Sequence, residues 1–406
     1  MNSKGDSVQT GSQATFLLLF ALSYGMTARK TKHNAMSSNL LFIRYKKSEG
    51  IPEGGEVCTW RNYTALSDLL GEDNIKTYYV HEQIKRKSLW TIIKSGILSL
   101  FGYFYGLSPK RVKDIVLIAK SYDYVFIDRS VFGIIARELK KSGYKGKIIT
   151  FFHNVEVPYF KAKLANKGLS RFFAVKCADS NDRFSCQYSD RIIVLNKRDG
   201  QEIKSRYGRT ADSTIPIALA DKFTDNERTD ANTSPIPVCM FLGSYFKPNN
   251  DGIIWFVRNV LPSVKIKMKI VGKGMSKLKE NEPELLKNIE IVSDAPDLQP
   301  YFAEADIMVL PIFTGSGMKV KTCESLMHGK NIIGTTEAFE GYDVETEKVG
   351  GECNTAEEFI ALLNDFAKKP RPRFNEYSRN AFIKNYSEDA VIEKFREIFS
   401  NNSMSN

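Results

Sequence analysis

Residues 305 to 341, ADIMVLPIFTGSGMKVKTCESLMHGKNIIGTTEAFEG, gather the side chains best suited to hold a phosphate-bearing ligand. Gly315 and Gly317 bracket Ser316, so the backbone there can bend sharply and expose amides, and a helical pattern starts at about Met318. The first amides of a helix lack intrahelical acceptors and the macrodipole is positive at that end, which together favour an anion. Lys319 and Lys321 add full charges beside the turn. At about 100° per residue, Val320, Cys323 and Met327 share one face and Leu326 lies beside them; Glu324 falls roughly 40° from Val320, at the edge of the apolar stripe. A carboxylate at such an edge needs a partner. A ribose diol would supply two hydroxyl hydrogen bonds, and an ion pair with Lys321 at i,i+3 spacing is the alternative.

The elements that must carry these residues are legible around them. Ile307, Met308, Val309 and Leu310 form a short continuous apolar run, as in a parallel strand covered on both faces, and Pro311 limits its extension. Gly329 stops the helix and NIIG begins the next strand. A second candidate site comes from KIITFFHNVEVPYF, a strand that delivers His153, Asn154 and Glu156 at its C-terminal end, the edge where open α/β sheets bind ligands. A lone histidine there is either a structural residue or a ligand contact. His33, His81 and His328 have no comparable context; a cation beside the helix-ending Gly329 is adequate explanation for His328.

With 406 residues, the chain is long enough for two ordinary domains. A hydrophobic content of 42% and a charged content of 26% describe a soluble globular protein, and the formal charge of +11 favours phosphate-bearing ligands, anionic membranes or nucleic acid, for the last of which no motif is present. The cysteines at 58, 177, 186, 239, 323 and 353 contain no C-x-x-C pair, so neither a zinc site nor a disulfide framework is indicated and a reducing cytoplasm fits best. Residues 1 to 37 read as a leader, disordered or not native, because the apolar run from Ala14 to Leu22 is too short to span a bilayer and no clear signal cleavage site follows. The fold is expected to begin near Met36.

From there LLFIRY forms a strand, a loop carrying Gly50, Gly54 and Gly55 leads to a helix from about Cys58 to Leu70, and NIKTYYV is a second strand: the opening of a doubly wound sheet. No G-x-G-x-x-G occurs in the loop, which weakens a dinucleotide reading. Residues 84 to 113 place Lys85, Arg86, Lys87, Lys94, Lys110, Arg111 and Lys113 around Trp90, Ile93, Ile97, Phe101, Phe104 and other apolar residues. Such a segment suits either membrane contact, with Trp90, Phe101 and Phe104 as the inserting side chains, or a pair of core-packing helices. Asp128 ends the strand of YDYVFID, and Asn196 caps the helix that follows DRIIVL. Residues 216 to 236, rich in Pro, Asp, Asn, Ser and Thr, read as a linker between an N-terminal domain at 38 to 215 and a C-terminal domain at 237 to 375. The second domain opens with VCMFLGSYFKPNNDGIIWF: a strand, a turn at Gly243 and a helix beginning near Asn250 or Asp251. Four strands alternating with helices imply a second parallel sheet, and residues 376 to 406 form a helical tail.

The run G-S-G-M-K-x-K-x-x-E, followed by a short strand and an E-G turn, resembles the donor-binding segment of bacterial glycosyltransferases of the GT-B fold and family 4, in their polysaccharide-assembly branch. With HNVE and GSYFKPNNDGIIWF, the likeness extends over residues 38 to 399. It implies an α/β protein of two Rossmann-like domains facing across a cleft, with Gly54 and Gly55 on a loop toward that cleft and the tail crossing back to the first domain. It implies a retaining, metal-independent transfer of a sugar from a nucleotide diphosphate sugar to a glycan, without a cofactor; the basic apolar segment adds a lipid-linked acceptor and a cytoplasmic place on the inner face of the membrane to that expectation. In that picture Gly243, Lys247, Gly315, Ser316, Gly317, Met318, Lys319 and Lys321 bind the donor, Glu324 holds its ribose, and His153, Glu324 and Lys321 serve catalysis. The absence of any Asp-x-Asp from the sequence agrees with a reaction that uses no metal. Two departures stand out: Ser316 occupies the place of the family's first glutamate, and Ser244 and Asn249 those of an Arg and a Lys. A sugar-nucleotide epimerase of the same fold, or a non-catalytic partner in a glycan-assembly complex, are the alternatives.

Overall fold

The computed structural model describes residues 38–45, 54–81, 89–104, 106–165, 168–225, 228, 236–315, 317–369 and 371–400, with the side chains of residues 89 to 92 left out. The expectations for the leader, Gly50, Lys85 to Lys87, the Trp90 side chain, Ser316 and the linker residues 226, 227 and 229 to 235 therefore lie outside the described residues. The chain divides into two compact units: one runs up to Ile217 and resumes at Val391, the other spans Ala218–Ala390.

The first unit is a parallel sheet of β1 (Leu40–Arg44), β2 (Ile75–Tyr79), β3 (Tyr124–Ile127), β4 (Lys147–Phe152), β5 (Arg191–Val194) and β6 (Ser213–Thr214), in the order β2-β1-β3-β4-β5-β6. Leu40 to Ile43, Val125 to Ile127 and Ile148 to Phe152 are buried throughout, as expected of strands covered by helices on both faces. The second unit repeats the plan with β7 (Val238–Leu242), β8 (Lys267–Gly272), β9 (Glu290–Ser293), β10 (Ile307–Leu310), β11 (Asn331–Gly334) and β12 (Gly350–Glu352), in the order β12-β11-β10-β7-β8-β9. It holds six strands where four were expected. Its order reverses between β7 and β10, which are paired at Ile307 with Cys239, and the crevice beyond the C-terminal ends of such strands is where open sheets bind ligands.

Several boundaries differ from the sequence reading. Gly54 and Gly55 stand in the first turn of a helix, Gly54–Leu70, rather than on a loop. Glycine is tolerated there because first-turn amides are unpaired in any case, and a Cβ on Gly55 would meet the Arg129 guanidinium at 2.9 Å. The helix after β7 is Lys247–Asn259, beginning before Asn250. Gly252 brings it against the exit of β10: a Cβ there would lie 1.9 Å from the Pro311 carbonyl oxygen. The tail divides. Helix Glu376–Asn385 packs on helix Val320–Met327, with Arg379 donating to the Met327 carbonyl at 2.8 Å and pairing with Asp221, while helix Glu388–Ser400 sets Phe399 against Tyr124 and Phe395 against Phe126.

The basic segment forms helix Leu89–Leu100 and, after the Ser108 cap, helix Pro109–Ala119. Ile93, Ile97, Leu100 and Phe101 are exposed at i, i+4, i+7 and i+8, so they share one face of the first helix and its end. Phe104 does not join them. It packs against Phe132, Phe160 and Tyr45 on the core, because the chain turns inward after Gly102. No helix among the described residues is long and apolar enough to cross a membrane.

Candidate functional site

Beyond β10 the chain turns at Gly317, whose φ of 64° is left-handed and suits glycine, and enters helix Val320–Met327 with Lys319 at the cap. The helix starts two residues later than its sequence pattern indicated. Thr322, Cys323, Ser325, Leu326 and Met327 are buried, whereas Val320 is half-buried at the start of the stripe.

The two lysines behave differently. Lys319 folds back, its Nζ donating to Glu337 Oε1 at 2.7 Å and to the Gly317 carbonyl at 2.8 Å, so its charge is already paired. Lys321 reaches toward the end of β7 instead. Its Nζ donates to Asn249 Oδ1 at 2.5 Å and stands 4.8 Å from the Phe241 ring centroid, while Asn249 Nδ2 donates to the Ser244 carbonyl at 2.8 Å. The Lys321 amino group therefore sits against Asn249, which itself holds the Ser244 carbonyl. Lys247 forms an exposed ion pair with Asp251 at 2.7 Å. Gly243 closes the end of β7 against β8, its amide donating to the Val271 carbonyl at 3.0 Å. Met318 is buried and Gly315 exposed beside the turn.

Glu324 is half-buried and takes no ion pair with Lys321, whose hydrogen bond goes to Asn249. Desolvation pushes its carboxyl up to about 7, against the pull of Lys222 and then Lys321. Desolvation likewise brings Lys321 down to about 7, with Glu324 opposing and Lys319 assisting. Lys222 escaped the sequence reading because it stands in the stretch taken as linker, far from Glu324 in sequence; its own pKa is lowered by burial, against Glu324 and Asp297. No spacing signal connects the two. Lys321, Glu324, Lys222 and Asn249 thus meet at the reversal point of one sheet, and with the turn at Gly317 they supply cations, amides and a carboxylate that can accept hydroxyls.

His153 follows β4 as expected, yet it is only 3% exposed. Its Nε2 lies 3.3 Å from Asp128 Oδ1, and Asp128 also accepts from Thr59 Oγ1 at 2.5 Å and Asn62 Nδ2 at 2.8 Å. Glu156, at the start of helix Glu156–Lys163, is buried beside it, and desolvation pushes its carboxyl up to about 7 against Arg129 and His153. No group of acidic, histidine or cysteine side chains able to hold a metal ion occurs among the described residues.

Residues 236–365 match the family profile described as Glycosyl transferases group 1. An uncharacterized 44.6 kDa protein in the cps region of Klebsiella pneumoniae is 24% identical over 253 residues, covering 58% of this chain and 62% of that protein's length. Among solved structures, sucrose-phosphate synthase from Thermosynechococcus elongatus superposes with a TM-score of 0.65 at 12% identity, over 91% of this chain and 100% of its own. The lipopolysaccharide outer core galactosyltransferase WaaB follows with 0.64 at 16% identity, over 89% and 99%. Anabaena HepE in complex with UDP and glucose gives 0.57 at 12% identity, over 90% and 100%. The domain at residues 236–365 is therefore similar to the group 1 glycosyl transferases, and the two parallel six-stranded sheets share the fold of these solved structures.

Proposed function

We propose that the protein transfers a sugar, with retention of configuration and without a metal ion, from a nucleotide diphosphate sugar to a glycan or lipid-linked glycan in surface polysaccharide assembly. The observation that carries this reading is the position of the Lys321 ammonium against Asn249, beside the Gly317 turn and Glu324. Charge builds on the leaving diphosphate as the glycosidic bond breaks. A fixed ammonium and first-turn amides stabilise that charge more in the transition state than in the ground state. Glu324 holds the ribose diol once ionised, and Lys222 and Lys321 favour that form. Lys321 compensates for Ser244 and Asn249 by bringing a cation to the same place. His153 serves the donor sugar. The cps-region relative and the UDP-bound neighbour support the polysaccharide role and the donor class by likeness.

Helix Leu89–Leu100 contributes the membrane contact in this reading. Ile93, Ile97, Leu100 and Phe101 form its inserting face, exposed Lys94, Lys110 and Lys113 attract anionic lipid, and no acidic residue interrupts 84 to 113. The protein would act as a peripheral enzyme on the cytoplasmic leaflet.

The test is turnover of a panel of nucleotide diphosphate sugars with a lipid-linked glycan fraction, with and without EDTA. Glycosylated product and free nucleotide, undiminished by EDTA, are expected. Altered free sugar formed without acceptor would make the protein an epimerase, and nucleotide binding with no turnover would make it a non-catalytic partner.

A further inference from the structure

Behind β3 and β4 lies a buried cluster of four ionisable side chains from three elements. Cys58 and Arg61 come from helix Gly54–Leu70, Asp128 follows β3, and His153 follows β4. They are 2%, 1%, 0% and 3% exposed, so their charges must be satisfied among themselves. Asp128 is surrounded by Thr59, Asn62 and His153. Arg61 does not turn to that carboxylate. Its Nη2 donates to Cys58 Sγ at 3.1 Å, and its guanidinium stands 5.2 Å from the Phe151 ring centroid. A thiol is a weak acceptor and leaves a buried guanidinium without an anion, whereas a thiolate supplies one.

We propose that Cys58 is a thiolate and His153 an imidazolium in the folded protein, so that Cys58, Arg61 and Asp128 are positioning residues that fix the charge and orientation of His153. The step is a single proton transfer from Sγ to the imidazole, with no other bond made or broken. The cluster's net charge is the same before and after it. What changes is adjacency: each cation then faces an anion, Arg61 the sulfur and His153 the Asp128 carboxylate. Neither ring nitrogen of His153 makes a well-aligned hydrogen bond, and Nε2 stands 3.3 Å from Asp128 Oδ1, so the ring is held by charge.

The shifts point the same way. Burial opposes ionisation of Cys58, yet His153 and then Arg61 hold its thiol below the ordinary value. Burial likewise disfavours the imidazolium, but Cys58 and Asp128 raise it to about 9. Glu156 also faces His153; Arg129 attracts it too, and it lies beside Asp182, whose carboxyl burial and then Glu156 raise well above the ordinary value. The consequence for transfer rests on the role proposed for His153 at the donor sugar: an imidazolium there donates a hydrogen bond and tolerates negative charge, and it cannot act as a base.

The experiment needs no sugar and no turnover, so its result stands apart from the transferase reading. The imidazole carbon and nitrogen signals of the full chain are titrated by NMR, with His153→Gln assigning one of only four histidines. Thiolate ultraviolet absorbance is compared between wild type and Cys58→Ser. The expected result is a His153 ring that stays protonated through neutral pH. In Cys58→Ser its proton affinity should fall at least tenfold and the absorbance of one thiolate should vanish. A neutral His153 at pH 7 in the wild type overturns the proposal, and so does a proton affinity unchanged in Cys58→Ser. If that variant fails to fold, the wild-type titration and absorbance decide alone.

Discussion

Lys321 and Glu324 carry opposite charges on one helix turn, and desolvation draws both toward neutrality near pH 7. Each is then poised to change protonation when a ligand arrives. A diphosphate favours the ammonium, and a ribose diol favours the carboxylate. The direction of proton exchange follows from which group is in the wrong state beforehand. At about pH 8 Lys321 is largely neutral and binding takes up a proton; at about pH 6 Glu324 is largely protonated and binding releases one. Calorimetry of nucleoside diphosphate binding in buffers of different ionisation enthalpy is expected to show this reversal, with Lys321→Gln abolishing the uptake and Glu324→Gln the release. Proton exchange of the same sign at both values would mean that one of the two groups does not face the ligand. Glu324 was legible as an edge carboxylate from the helical period, whereas its cations were not: Lys222 lies in another segment, and Lys321 is drawn to Asn249 by a contact that spacing on a single helix cannot show.

At the level of elements, helix type and strand pattern were mostly readable, since Leu40 to Ile43 of β1 and all of β7 and β10 are continuous apolar runs. The helix Lys247–Asn259 was read as starting late, because Asn250 and Asp251 have capping chemistry; the chain begins it at Lys247 and uses Pro248 in its first turn instead. β12 is only Gly350–Glu352 and carries no apolar run to betray it. For the basic segment, period alone left membrane contact and core packing open, and the structure separates the residues: Phe101 outward, Phe104 inward. Flotation with vesicles containing anionic lipid is therefore expected to be lost in Ile97→Ser/Phe101→Ser and to weaken with salt, since each basic residue near such a surface contributes about 1 kcal/mol. Binding unchanged by that double substitution would remove helix Leu89–Leu100 from the membrane contact.

Across the molecule, the doubling of one plan was visible in the sequence as two runs of alternating strands and helices, and it is present as two parallel six-stranded sheets. The place where each sheet reverses its order was not visible, because strand order depends on pairings between segments distant in sequence, such as Ile307 with Cys239. That reversal is what brings Lys321 and Asn249 together at the proposed donor site. UDP binding, measured by calorimetry without metal on wild type, Lys321→Ala and Glu324→Ala, tests that site most directly. Micromolar binding weakened roughly 10- to 100-fold in each variant is expected, the loss of one charge-assisted hydrogen bond being worth about 1.5–3 kcal/mol. Equal affinity in all three proteins would contradict it and leave the turn at Gly317 as a structural helix start.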